Sequence, residues 1–286
     1  MARIVLCDSG LGGLDIAARC FRPADTPLDL VYFNAFPAAD TGYNDLPPEA
    51  QDELFYLTLK SMEKFAPDAC VIACNTLSII WERLKNRRKP SFPVVGIIDG
   101  AVGLMSGFLR EIPDSAILIV GTKTTVESGC YQLRLRQAGF APERIRALAL
   151  PGLARLLESG PASSEAAVRI DAAARTAAEM FPAPNHLGVA LCCTHYGYAE
   201  TLWQKAFAGA FPASGVTILN PNAAIVPAGG AASFRYCARI PLFPGVVEHL
   251  APFFDDRAPA VAEALRQARP DPDLFPFSVK LKGQQL

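Results

Sequence analysis

The sequence predicts a parallel α/β fold made of two similar lobes, and three observations carry that prediction. Short apolar runs alternate with longer amphipathic stretches, the pattern of strands joined by crossover helices. Two of the runs, "VIACNTLS" at 71–78 and "VALCCTHYG" at 189–197, share one design: an apolar strand, a cysteine at its end, then polar residues that open a helix. The 286 residues, 51% hydrophobic and 19% charged, are also enough for one large or two medium domains.

In order, the expected strands are Arg3 to Leu6, Leu30 to Phe33, Ala69 to Ala73, Val94 to Ile98, Ala116 to Val120, Ile145 to Leu150, Gly188 to Leu191 and Val216 to Leu219. Pro48 to Phe65, Thr124 to Ala138 and Ser164 to Met180 have helical length and period, and helices should cover both faces of each sheet. The stretch "PVVGIIDGAVG", 93–103, reads as a crossing between lobes and "FAGAFPASGV", 207–216, as the return. One lobe is therefore expected to hold residues 1–98 and 210–286, the other residues 99–209. The Pro-rich "RPDPDLFPF", 269–277, reads as a loose tail.

Net charge is −1, and the most basic run, Lys85, Asn86, Arg87, Arg88 and Lys89, suits a helix C-terminus rather than nucleic acid. No apolar run approaches the ~18 residues of a membrane span, and no signal core opens the chain, so a cytoplasmic protein without a membrane partner is expected. The eight cysteines, scattered through apolar segments, do not read as a disulfide framework.

In open parallel sheets the chemistry sits beyond the carboxyl ends of the strands, where Asp8, Cys74 and Cys193 all fall. A strand-end cysteine is more often filler than reagent. Here, however, "CNT" and "CTH" add amide, hydroxyl and imidazole groups at a helix start, which favours an anion or thiolate. The turn "DSGLGGLD", 8–15, is not a dinucleotide fingerprint, because Gly10 and Gly12 lead to Asp15 and the second strand runs into Asn34. Its backbone N–H groups can still hold a small carboxylate, with Ser9 adding a hydroxyl. "GTKTT", 121–125, lacks the earlier glycine of a phosphate loop, and nothing supports a pyridoxal Schiff base at Lys123. Zinc is disfavoured because Cys192 and Cys193 point to opposite faces of a strand. A Cys193–His195–Asp8 hydrolase triad is a better rival, but it leaves Cys74 unexplained.

If the lobes face one another, Cys74 and Cys193 reach a ligand from opposite sides. That suits inversion at a carbon bearing an acidic proton: one thiolate removes a proton from one face and the other thiol delivers one to the opposite face. A thiol with an ordinary pKa near ~8.5 supplies both protonation states around neutrality. Asp8 is the expected partner of Cys74, and His195 of Cys193.

The motifs "CDSGLGGLD", "DACVIACNTLS", "PVVGII", "ILIVGTKTTVESGCY" and "VALCCTHYGY" resemble, in order and approximate spacing, the cofactor-independent aspartate/glutamate racemase superfamily, and within it the glutamate racemases. The resemblance implies two pseudo-symmetric Rossmann-like lobes with the active site in the cleft between them. It implies no cofactor, neither pyridoxal nor metal, and interconversion of L- and D-glutamate for peptidoglycan synthesis. Carried over, Cys74 and Cys193 become the acid/base pair, assisted by Asp8 and His195, with Glu158 of "LARLLESG" as a carboxylate near the second cysteine. Ser9, Asn75, Thr76 and Thr194 match residues that hold the α-amino and α-carboxylate groups, and Thr122 and Thr125 are further candidates. Near the side-chain pocket the chain departs from the pattern. "NAFPAADTG" keeps Gly42 but has Thr41 for an aromatic residue and Ala35 and Phe36 for a polar pair, and Asn220 and Pro221 replace an Asp-Ser element. Aspartate or another substrate is therefore the first alternative, and a non-catalytic relative that binds a small acid or a protein the second. The only expected partners are the small-molecule amino acid and, as the resemblance suggests, a second copy in a homodimer.

Overall fold

In the computed structural model, which describes residues 1–181, 184–277, 280–281 and 284–285, the chain builds two all-parallel sheets. The first contains β1 (Ala2–Asp8), β2 (Pro27–Asn34), β3 (Ala69–Ile72), β4 (Val94–Gly96) and a late strand, Gly230–Ala238, in the order β4-β3-β1-β2-late strand. The second contains β5 (Ser115–Gly121), β6 (Ile145–Ala149), β7 (His186–Cys192) and β8 (Gly215–Leu219), in the order β6-β5-β7-β8; the late strand is β9.

Strand alternation sorts the core into faces. On the first sheet, Val5, Cys7, Val31, Phe33, Cys70 and Ile72 pack under helices α2 (Pro48–Met62) and α3 (Asn75–Leu84). Their neighbours Leu6, Leu30, Tyr32 and Val71 face α1 (Leu14–Arg19) and the C-terminal helices Val246–Leu250 and Pro259–Arg266. The second sheet is divided in the same way. Ile117, Ile119, Ala190 and Cys192 meet α4 (Ile98–Glu111) on one face, while Leu118, Val120, Val189 and Leu191 meet α8 (Ser164–Met180) and α9 (Glu200–Ala210) on the other. Residues buried on both faces produce the continuous apolar runs by which the strands were read.

Each sheet switches sides after its second strand, and the first switches back when β9 joins beside β2. From β1 the chain adds β2 on one side and then β3 on the other; from β5 it adds β6 and then β7. The two switch points, β1/β3 and β5/β7, are where the crevice of an open α/β sheet lies. Cys74 and Cys193 follow β3 and β7, so they occupy equivalent positions in the two sheets.

Three expectations need correction. The stretch 124–138 is two helices, α5 (Lys123–Glu127) and α6 (Cys130–Gln137), because Gly129 turns left-handed at φ 62° between them. The return to the first sheet does not come near residue 210, since β8 pairs in parallel with β7. The segment 269–277 is not loose: Leu274 and Phe275 are buried in the first core, and Pro270 bridges to Ala238 on β9.

Candidate active site

The two switch points meet across a cavity of about 360 Å³ whose wall includes both Cys74 and Cys193. That volume suits a small metabolite. Ser9, Asn75 and Thr76 line it from the first sheet, and Thr122, Thr194 and His195 from the second; Thr41, Gly42 and Glu158 are also in the wall. Asp8 and Thr125 are fully buried behind it rather than in it.

The surroundings of Cys74 are those of a buried thiol. Its Sγ caps α3, accepting from Leu77 N–H at 3.5 Å, and lies 3.1 Å from Ser9 Oγ. Burial, and then the negative charge of Asp8, push this thiol up to about 12, with the Ser9 hydrogen bond pulling the other way. Asp8, the expected partner of Cys74, acts on it through its charge, while the side-chain hydrogen-bond contact is with Ser9. Asp8 instead accepts from Thr194 Oγ1 at 3.0 Å across the cleft, and its Oδ1 is buried without a partner among the described residues. Burial raises Asp8 from an ordinary 3.8 to about 6, against the lowering pull of His195 and Thr194.

Cys193 has different company. Its Sγ lies 3.7 Å from His195 Nδ1, and His195 Nε2 lies 2.6 Å from Glu158 Oε1. Burial disfavours the imidazolium, but the Glu158 carboxylate and the hydrogen bonds to Cys193 and Glu158 outweigh it and hold His195 well above its ordinary 6.5. Glu158 comes from α7 (Leu153–Ser159), and its Oε1 also accepts from Leu11 N–H at 2.8 Å. The glycine turn was expected to hold a ligand's carboxylate, yet its Leu11 N–H holds one from the protein. This explains the glycines. A Cβ at Gly10 would sit 2.7 Å from Glu158 Oε1, and one at Gly12 would collide with Thr194 Oγ1.

The remaining candidates form a polar floor. Thr76 Oγ1 meets Thr122 Oγ1 at 2.8 Å, bridging the two sheets, and Thr122 donates to Thr125 Oγ1 at 3.0 Å. Asn75 Oδ1 accepts from Tyr131 at 2.6 Å, while its Nδ2 has no acceptor among the described residues. Thr41 donates to Asp40 Oδ1 at 3.1 Å, and Gly42 N–H to Asp45 Oδ2 at 2.7 Å. Sequence reasoning missed Arg155, which also lines the cavity; its place three residues before Glu158 on one helix was the available signal. Asn220, outside the wall, donates to Glu200 Oε2 at 3.2 Å.

Comparison with known proteins identifies the family. The family model described as Asp/Glu/Hydantoin racemase matches residues 16–229. Glutamate racemase of Lysinibacillus sphaericus is 28% identical over 200 residues, covering 68% of this chain and 69% of the relative. That of a Nitratiruptor species is 29% identical over 227 residues, covering 76% and 79%. Among solved structures, the fold resembles glutamate racemase from Campylobacter jejuni, with TM-score 0.69 and 21% identity over 93% of this chain and 99% of that one. It also resembles the Francisella tularensis glutamate racemase solved with D-glutamate, with TM-score 0.66 and 18% identity over 94% and 95%. With three quarters of its length matched by the family model, this chain belongs to the Asp/Glu/Hydantoin racemase family and is a racemase, an isomerase.

Proposed function

We propose that this racemase interconverts the enantiomers of an acidic amino acid, glutamate first, by proton transfer between two cysteines and without a cofactor. The observation that carries the reading is the pair of sulfurs: two strand-end cysteines, equivalent in the two sheets, line one cavity. The glutamate racemases among its relatives support the substrate.

In this reading the sulfurs begin in different roles. Glu158 favours the charged form of His195, which would offer Cys193 both a hydrogen-bond donor and a positive charge, as suits the first base. Cys74, its thiol pushed up to about 12, carries a proton and is the first acid. Cys193 takes the α-proton from one face of the substrate, and Cys74 delivers its Sγ proton to the other face of the planar carbanion. The reverse reaction exchanges the roles. Glu158 is a positioning residue that orients and charges His195. The unmatched Nδ2 of Asn75, with Thr76, Thr122 and Thr194, would receive the α-carboxylate, and Ser9 supports Cys74. The D-glutamate formed would serve cell-wall synthesis in the cytoplasm, and a homodimer belongs to the same proposal.

The test is proton NMR of the protein with L-glutamate in heavy water, with circular dichroism on the same sample. Loss of the α-proton signal together with optical activity is expected. Exchange with aspartate but not glutamate would move the substrate; exchange with no amino acid would overturn the reading in favour of a binding role.

A further inference from the structure

Arg155 and Glu158 lie three residues apart on α7, so they share a face of that helix, and both line the cavity. Glu158 is engaged by Leu11 N–H and His195. Arg155 has no such engagement: among the described residues, no hydrogen bond or ion pair of its guanidinium is formed. The group is nevertheless held in place. Its Cζ lies over the Phe243 ring, 3.1 Å from the centroid, and Phe36 packs edge-on against Phe243 at 5.7 Å and 85°. A guanidinium over a ring face, with no hydrogen bond to the described residues, keeps N–H donors available, and such donors bind a carboxylate through two parallel hydrogen bonds.

The wall's own acids do not supply that carboxylate. Asp45 is taken by Gly42 N–H and Asp40 by Thr41 Oγ1, and neither lies within ion-pair distance of Arg155. Lys123, the other Lys or Arg of the wall, is likewise without an acidic partner among the described residues.

We propose that Arg155 is a specificity-determining residue that holds the distal carboxylate of the substrate's side chain and so selects acidic amino acids over their neutral amides. The proposal rests on the racemase reading above. The test compares kcat/KM for glutamate and glutamine in the wild type, Arg155→Met, Arg155→Lys and Lys123→Met. Methionine keeps an apolar stem on Phe243, and a melting curve checks the fold. Arg155→Met is expected to lose about tenfold or more for glutamate, mostly in KM, as befits a charged hydrogen-bonded contact made equally in ground and transition states. Glutamine turnover should change little, and Arg155→Lys should recover part of the loss. An unchanged glutamate-to-glutamine ratio in Arg155→Met, or a loss carried by Lys123→Met instead, overturns the assignment. So does a wild type that turns over glutamine as readily as glutamate, although the racemase reading then stands. Exchange of neither substrate, nor of any amino acid, overturns the racemase reading itself.

Discussion

Cys74 and Cys193 occupy the same place in two similar sheets, each one residue or two beyond the strand that follows the switch of winding, yet their surroundings share almost nothing. Cys74 opens a ten-residue helix and is held by a serine hydroxyl and a backbone N–H. Cys193 opens a 3-10 turn, Thr194–Ala199, and faces an imidazole fixed by a carboxylate. The difference teaches how a near-symmetric scaffold serves an asymmetric task. The proposed two-base inversion would need one sulfur without its proton while the other keeps one. The unlike environments of the two sulfurs fit that division.

The largest expected effect comes from removing either sulfur. Cys74→Ala and Cys193→Ala should each lower racemisation by about a thousandfold or more, the scale of losing a positioned acid or base. Each variant should still exchange the α-proton of one enantiomer, and the two variants should favour opposite enantiomers. Polarimetry beside deuterium exchange reads both quantities. Racemisation within about tenfold of wild type in either variant breaks the comparison at its root.

Next comes the carboxylate behind His195. Glu158→Gln removes the charge that holds the imidazolium up, so its pKa falls and the alkaline limb of the pH–rate profile moves to lower pH. A loss of about a hundredfold in kcat at neutral pH is expected, within the usual range for acid–base support. A profile that keeps its alkaline limb would mean that Glu158 serves only to pin the Leu11 turn.

Asp8 sharpens the comparison from the Cys74 side. Burial raises it to about 6, so the folded protein holds this proton more tightly than the unfolded chain does. The associated stability is therefore full below pH 3.8 and is lost as pH rises through about 6. Asp8→Asn should remove that decline, gaining up to about 3 kcal/mol on the wild type between pH 4 and 7, at about 1.4 kcal/mol per pH unit. Urea unfolding at several pH values measures it. A constant difference across that window would show that Asp8 is ionised in both states.

Much of this was legible in the sequence, for identifiable reasons. Strands buried on both faces, β1, β2, β3, β5 and β7, give continuous apolar runs, and the edge strands β4, β6 and β8 keep short ones, so all eight were placed within a few residues. β9 was missed because it starts on small residues and carries Ser233 and Arg235 in its middle, which break the apolar run. Both cysteines and His195 were visible because motif and strand end coincide. That Asp8 would reach Thr194 and Ser9 would reach Cys74 was not, since these contacts join segments 186 and 65 residues apart. Arg155 was hidden for a related reason: its contact with Phe243 joins segments 88 residues apart.

The smallest effect is the most discriminating. Ser9→Ala deletes the hydroxyl 3.1 Å from Cys74 Sγ, one of the groups that restrain the upward push of burial on that thiol. A neutral hydrogen bond is worth about 1 kcal/mol net, so kcat should fall about fivefold. Because enantiomers have equal free energies in water, the two directions must keep equal kcat/KM whatever is mutated, and comparing those ratios reveals nothing. Primary isotope effects with α-deuterated D- and L-substrate escape that constraint. Losing that hydrogen bond makes the Cys74 thiolate scarcer and its proton abstraction more rate-limiting, so the isotope effect should rise for the enantiomer that Cys74 deprotonates and not rise for the other. Ser9→Thr, which restores the hydroxyl, should return it. Equal changes for both enantiomers would move Ser9 from the sulfur to the substrate, and the two environments would then be less unlike than their geometry shows.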